Sequence, residues 1–345
     1  MAKLRLKKLH PKLIKVLESW LHQRSANVIV GGKYSDNMNI SDMVFQGIFF
    51  GPILWNLFFE DARLAIQEMS YTEVVYADDL NAFRIFGQSA QTESVQKSLE
   101  LCQSELHRWG KANQVAFDAG EESQHILSTT DSVGESFRML GVVFDCELIM
   151  ADAVAELVSD ASWKLRTLIR TRRFYTDADL ILLYKSHLLS YLEYRTPAIY
   201  HATRNVLEKL DAVQTRFLRN VGVDDATALL EFNLAPLCMR RDIAMLGMLH
   251  RAALGEGPPQ LKELFRRRPG GYMLHDPYAD IGQPPLVRRS AWGLLRVYNS
   301  LGSGAHSIGT TRDFQFYLQE RTKKILRQGL AGEWRNWHYM YSPRG

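Results

Sequence analysis

The stretch Glu73-Val74-Val75-Tyr76-Ala77-Asp78-Asp79-Leu80-Asn81-Ala82-Phe83 decides how this chain is read. An apolar, strand-prone run ends on two adjacent acids and a second apolar run follows at once, which predicts paired strands with the acids on the tight turn between them. Adjacent carboxylates repel, and a divalent cation relieves that repulsion. Hard oxygens suit Mg²⁺, which completes its shell with water and substrate phosphates, so the turn points to phosphoryl chemistry. An Asp-Asp pair also serves as a plain solvated turn; the apolar runs on both sides and the preceding tyrosine set this one apart.

Tyr76-Ala77-Asp78-Asp79 resembles the Tyr-Ala-Asp-Asp signature of reverse transcriptases, and the sequence around it resembles those of non-long-terminal-repeat retrotransposons. Upstream, Phe45-Gln46-Gly47-Ile48-Phe49-Phe50-Gly51-Pro52 places two glycines four residues apart before a proline that can open a helix, with Leu54, Leu57, Phe58 and Leu64 as its apolar face. This loop is similar to the reverse-transcriptase loop Pro-Gln-Gly-Ser-x-Leu-Gly-Pro. Gln46, Gly47, Gly51 and Pro52 match, whereas Phe45 and Ile48 stand where the family usually has proline and serine. Taken alone, the loop also reads as an ordinary strand-to-helix turn.

Before this loop, Leu13, Val16, Leu17, Trp20 and Leu21 make a helical stripe after Pro11, Asn27 to Val30 reads as a strand, and Gly31-Gly32 reads as a turn. After the acidic turn, Val95, Leu99, Cys102, Leu106 and Trp109 recur at helical spacing and describe a buried face. The segment from Leu106 to Asp118 resembles the helix and strand that follow the family's catalytic turn, but Glu121-Glu122 stands where the family has Lys-Thr. Phe137-Arg138-Met139-Leu140-Gly141-Val142-Val143-Phe144 is a strand-turn pattern similar to the family's primer-grip hairpin. Gly141 either lets the backbone approach a primer phosphate or marks a bulge.

From Asp152 the pattern turns helical, with Val154, Leu157, Val158, Ala161, Leu165 and Leu168 inward. Lys164, Arg166, Arg170, Arg172 and Arg173 follow on the remaining surface without an intervening acid, the best phosphate-tracking candidate in the chain. Further helices are expected around Leu180 to Tyr191, Leu207 to Leu218, Leu229 to Leu254 and Asp313 to Arg327. A Gly/Pro-rich connection separates the last two, and the tail carries Trp334, Trp337, Tyr339 and Tyr341. Tyr191-Leu192-Glu193-Tyr194-Arg195-Thr196-Pro197 resembles a Leu-Glu-Tyr-x-x-Pro element that recurs in these retroelement chains.

Composition permits this reading without demanding it. Of 345 residues, 46% are hydrophobic and 11% aromatic, enough for packed cores, and the net charge of +4 leaves any polyanion surface to local clustering. Cys102, Cys146 and Cys238 have neither disulfide-framework nor zinc spacing, which fits an intracellular setting, nuclear or cytoplasmic. No apolar run has the length of a membrane span.

The expected fold class is therefore α+β: a partial polymerase palm over 1–150, built as an antiparallel sheet with packed helices, then an all-helical thumb over 151–222. A helical C-terminal extension would cover 223–345, with its Gly/Pro-rich connection near 255–290. The resemblance implies an RNA-directed DNA polymerase acting on an RNA template, a DNA primer and dNTPs with Mg²⁺, or Mn²⁺. It would place Asp78 and Asp79 at the metals, Gln46, Gly47, Tyr76 and Ala77 at the nucleotide, and Leu140 and Gly141 at the primer grip. Lys164, Arg166, Arg170 and Arg173 would lie along the nucleic-acid backbone. The family's third aspartate comes from a strand upstream of the Gln-Gly loop, where only Asp36 and Asp42 occur, both after the first helix. A chain starting inside the palm, with weak or no polymerisation, is the expectation; the alternatives are a non-catalytic nucleic-acid-binding remnant and an inert gene fragment.

Overall fold

The computed structural model describes residues 1–40, 48–87, 89–128, 130–277 and 290–328. They form two compact units, Met1–Ile126 and Leu127–Gly345.

In the first unit, α1 (Ala2–Leu6) and α2 (Pro11–Leu21) pack through Leu4, Ile14 and Leu17. The stripe read from the sequence is rotated: Leu13, Val16 and Trp20 are exposed, and Ile14 takes the inward position because Leu54, Leu57 and Leu9 close over it. A narrow hairpin follows, with β1 (Ser25–Ala26) against β4 (Met38–Asn39) and β2 (Ile29–Val30) against β3 (Lys33–Tyr34). Its turn is Gly31-Gly32, both at positive φ, the two-residue geometry that matches strand twist.

Next come α3 (Gly51–Glu68), opened by Pro52, the strands β5 (Thr72–Tyr76) and β6 (Asp79–Phe83), and α4 (Thr92–Asn113). Helix α3 buries Phe59, Ala62 and Ile66, and Leu64, expected inward, is exposed on the opposite side. Helix α4 presents Val95, Leu99, Cys102, Leu106 and Trp109 to this core, as their spacing predicts. Phe59 meets Trp109 edge-on at 5.2 Å and stacks on Trp55 at 5.3 Å. Between Val115 and His125 no strand forms. Val115 and Phe117 instead fold back onto α4, where a β-carbon on Gly110 would lie 2.7 Å from both the Phe117 ring and the Val115 carbonyl oxygen.

The second unit opens with β7 (Phe137–Met139) and β8 (Val142–Phe144), followed by α5 (Ala151–Arg170) and a 3₁₀ turn at Arg172–Phe174. Helices α6 (Asp177–Tyr184) and α7 (Ser190–Tyr194) run on through a π-helical turn at Lys185–Leu189, then α8 (Thr196–Ile199) and α9 (Arg204–Val221) complete a first core. Val142 belongs to that core, so the hairpin packs with α5. At its centre Tyr184 stacks on Phe217 at 4.2 Å, and the buried Gln214 accepts from Tyr184 and donates to the Ala235 carbonyl, leaving neither amide end unpaired.

A second core gathers α11 (Leu237–Ala253), α13 (Ala291–Ser300) and α15 (Thr311–Arg327), with the short α10 (Asp225–Leu230), α12 (Pro259–Leu264) and α14 (Ser303–His306) at their ends. The continuous helix expected from Leu229 to Leu254 is interrupted. Asn233 adopts positive φ and Pro236 caps a new helix, because proline cannot donate within one. The architecture is α+β, dominated by helices. Among the described residues the antiparallel pairing comes as four two-stranded ladders, not joined into one sheet. None of the described helices is long and apolar enough to cross a membrane.

Candidate functional site

Strands β5 and β6 pair in register from Thr72↔Phe83 to Tyr76↔Asp79, leaving Ala77 and Asp78 as a two-residue turn. Asp78 sits at the tip and Asp79 is the first residue of β6, directly opposite Tyr76. Both carboxylates are exposed. Ala77 has φ +55°, left-handed backbone that costs a residue with a β-carbon about 1–2 kcal/mol. Such backbone persists where its surroundings hold it. Here the Trp55 indole N–H, projected from the first turns of α3, donates to the Ala77 carbonyl at 2.7 Å while its ring lies on Phe59.

The register of the hairpin is set by a buried acid. Glu73 is 3% exposed and faces α3, where Arg63 donates to it through Nε and Nη2 at 3.1 and 2.7 Å and Gln67 adds contacts of 2.9 and 3.0 Å. Burial works against its charge, but the Arg63 and Gln67 hydrogen bonds prevail and hold the carboxyl below its ordinary range. With Glu73 and Val75 inward, alternation turns Val74, Tyr76 and Asp79 outward. Tyr76 is 66% exposed beside the acids.

The remaining predicted residues separate into groups. Gln46, Gly47 and Asp42 lie outside the described residues. Asp36 is exposed on the β3–β4 connection. Leu140 and Gly141 are the two turn residues between β7 and β8, at φ +47° and +77°, so the glycine serves a tight turn and not a bulge. The Tyr194 hydroxyl donates to the Leu140 carbonyl at 3.1 Å, and Arg138 joins the Gly141 carbonyl to Glu156 on α5. Glu156 also receives Arg195 at 3.3 Å. The Tyr191–Pro197 element thus ties this hairpin turn to α5. Of Glu121-Glu122, where the resemblance would put Lys-Thr, Glu121 is exposed, and Glu122 accepts from Gln103 and lies 2.8 Å from the His107 ring nitrogen.

Of the four cations expected along a nucleic-acid backbone, Arg166, Arg170 and Arg173 are exposed, while Lys164 is half-buried with its ammonium 5.0 Å from the Tyr191 ring centroid. Sequence reasoning missed Trp55 and Tyr194, whose roles depend on contacts to distant backbone, and Glu73, whose role depends on side chains of α3. The one signal it had was a charged residue opening an otherwise apolar strand.

The donor set at the tip, two adjacent carboxylates open to solvent, fits a Mg²⁺ ion whose other ligands are water and phosphate oxygens. Among the described residues no group of three or more His, Cys, Asp or Glu side chains is arranged to hold a metal, so a carboxylate cage for a pair of ions is not assembled there.

An α+β chain with this acid-tipped hairpin is reverse-transcriptase-like in sequence. Over 235 residues it is 26% identical to the RNA-directed DNA polymerase from mobile element jockey of Drosophila melanogaster, an alignment covering 61% of this chain and 25% of that protein. The chain spans about a quarter of the length of the curated relative it matches. No protein-family profile matches it, and no solved structure does.

Proposed function

We propose that the chain carries part of a retrotransposon RNA-directed DNA polymerase, with the β5–β6 hairpin as its metal-binding element. The observation that carries this reading is the position of Tyr76-Ala77-Asp78-Asp79 in the turn, acids outward on a strained tip braced by Trp55. In this reading Asp78 and Asp79 hold Mg²⁺, which supplies charge neutralisation at the reacting phosphate. Glu73 and Trp55 keep the two carboxylates aimed outward, and Tyr76 offers an aromatic platform beside them. The Leu140-Gly141 turn faces the primer backbone, and Arg166, Arg170 and Arg173 track phosphates of the template or primer.

Among the described residues no third carboxylate joins the two acids, and in this reading such an incomplete site makes polymerisation by this chain slow or absent. Loss even of a supporting partner weakens metal sites about 10 to 100-fold, and loss of a direct ligand costs at least as much. The test is Mg²⁺-dependent extension of a DNA primer on an RNA template, with the Asp78→Asn, Asp79→Asn double variant alongside. Slow extension abolished in the variant supports the reading, as does extension that appears only when an upstream palm segment is supplied. No extension in either setting, together with no binding of the primed template, refutes it.

A further inference from the structure

Helix α5 is polarised along its length. Its acids lie in the first half, where Glu156 pairs with Arg138 and Arg195, and Asp160 accepts from the Tyr191 hydroxyl at 2.6 Å. Cations near the C-terminal end also complement the helix dipole, and that accounts for their charge. It does not account for the aromatics beside them. Trp163 is 63% exposed and Phe174 68% exposed, and burying either ring would be favourable by itself. Trp163, Arg166 and Arg170 stand at i, i+3 and i+7, on one face of the helix and spread over about 10 Å. The chain then turns through the 3₁₀ segment, where the Arg173 guanidinium lies 4.7 Å from the Phe174 ring centroid.

None of Arg166, Arg170, Arg172 and Arg173 has an ion-pair partner among the described residues. The acids that come next in the chain belong to α6: Asp177 sits in its first turn, and Asp179 is engaged in capping it through Thr176. A surface that sets guanidinium groups without ion-pair partners between two exposed flat rings matches a partner that carries both phosphates and flat bases.

We infer that the exposed stripe Trp163–Arg166–Arg170 and the adjoining Arg173–Phe174 corner bind single-stranded nucleic acid, with the two rings stacking on unpaired bases and the guanidinium groups on the intervening phosphates. This rests on the nucleic-acid reading above and adds to it: a paired duplex hides its base faces, so the rings select an unpaired strand. An acidic protein or sulfated polysaccharide would use the arginines and leave the rings idle.

The test is fluorescence anisotropy with the full chain and fluorescein-labelled U20 and dT20, without Mg²⁺ or nucleotide, across a salt series. Trp163→Ala and Phe174→Ala are each expected to weaken binding about 5- to 100-fold with the salt slope unchanged, and Trp163→Phe to restore most of it. Arg166→Gln and Arg170→Gln are expected to lower the slope by about 0.7 for each phosphate no longer neutralised. All four side chains lie on the surface, and a thermal melt of each variant checks that folding is intact. Aromatic variants that bind U20 and dT20 as the wild type does overturn the inference. Primer extension is scored separately: extension retained while oligonucleotide binding ignores Trp163 and Phe174 refutes this inference and leaves the polymerase reading standing. Ring-dependent binding of U20 and dT20 with no binding of the primed template, and no extension even with an upstream palm segment supplied, does the reverse.

Discussion

Replacing Glu73 by glutamine tests the anchor that aims the acid-tipped turn. The side chain is 3% exposed, and its carboxylate takes donors from Arg63 and Gln67 on α3 at 2.7 to 3.1 Å. Hydrogen bonds to a charged group contribute about 1.5–3 kcal/mol net, but the Arg63 side chain is 44% exposed, and solvent screening puts this network toward the lower end. Glu73→Gln should therefore destabilise the first unit by about 2 kcal/mol, or roughly 1 M urea at a slope of about 2 kcal/mol per M. The carboxyl is held below its ordinary value of 4.5, so its contribution is complete above that pH and is lost as pH falls through the lower folded value. The gap between wild type and variant should be full at pH 7 and shrink progressively below pH 4.5. Urea unfolding followed by tryptophan fluorescence at several pH values measures it. An Arg63→Ala background should absorb most of the difference, since the two residues share one interaction. A gap that is the same at pH 7 and pH 3, or absent at both, would show that the charge plays no part in holding the hairpin.

Two further outcomes follow from the packing. Gly110→Ala places a methyl group 2.7 Å from the Phe117 ring and the Val115 carbonyl, and should cost about 1–3 kcal/mol in the same unfolding assay, with the 115–117 segment losing amide-exchange protection. In the second unit His250 is fully buried, stacked on Phe314 at 4.0 Å, with Nδ1 toward the Tyr298 hydroxyl and Nε2 toward the Ile308 carbonyl; burial lowers its pKa from 6.5. A histidine held neutral keeps its full contribution above pH 6.5 and loses it as the pH drops below that, because the unfolded chain takes up the proton first. The melting temperature of the second unit should decline between pH 6.5 and 5, and the decline should flatten in His250→Gln.

Local patterns in the sequence determined a good part of this protein. Glycines at 31 and 32, Pro52 ahead of an apolar helix and the periodic faces of α4, α5 and α9 declare themselves through covalent preferences and 3.6-residue spacing. The two acids between apolar runs located the hairpin turn to within one residue: it is Ala77-Asp78, and Asp79 already belongs to β6. What tertiary structure alone decided is which way things face. Leu13, Val16 and Leu64 had the spacing of core residues and lie outside, since burial depends on which neighbour closes over a helix and hydrophobicity is indifferent to side. Glu73 had the character of a surface residue and lies inside, because Arg63 and Gln67, in the last two turns of α3, meet it across the chain reversal. That single long-range choice, through the two-residue alternation of a strand, turns Tyr76 and Asp79 outward, and the Trp55 bond to Ala77 fixes the tip between them.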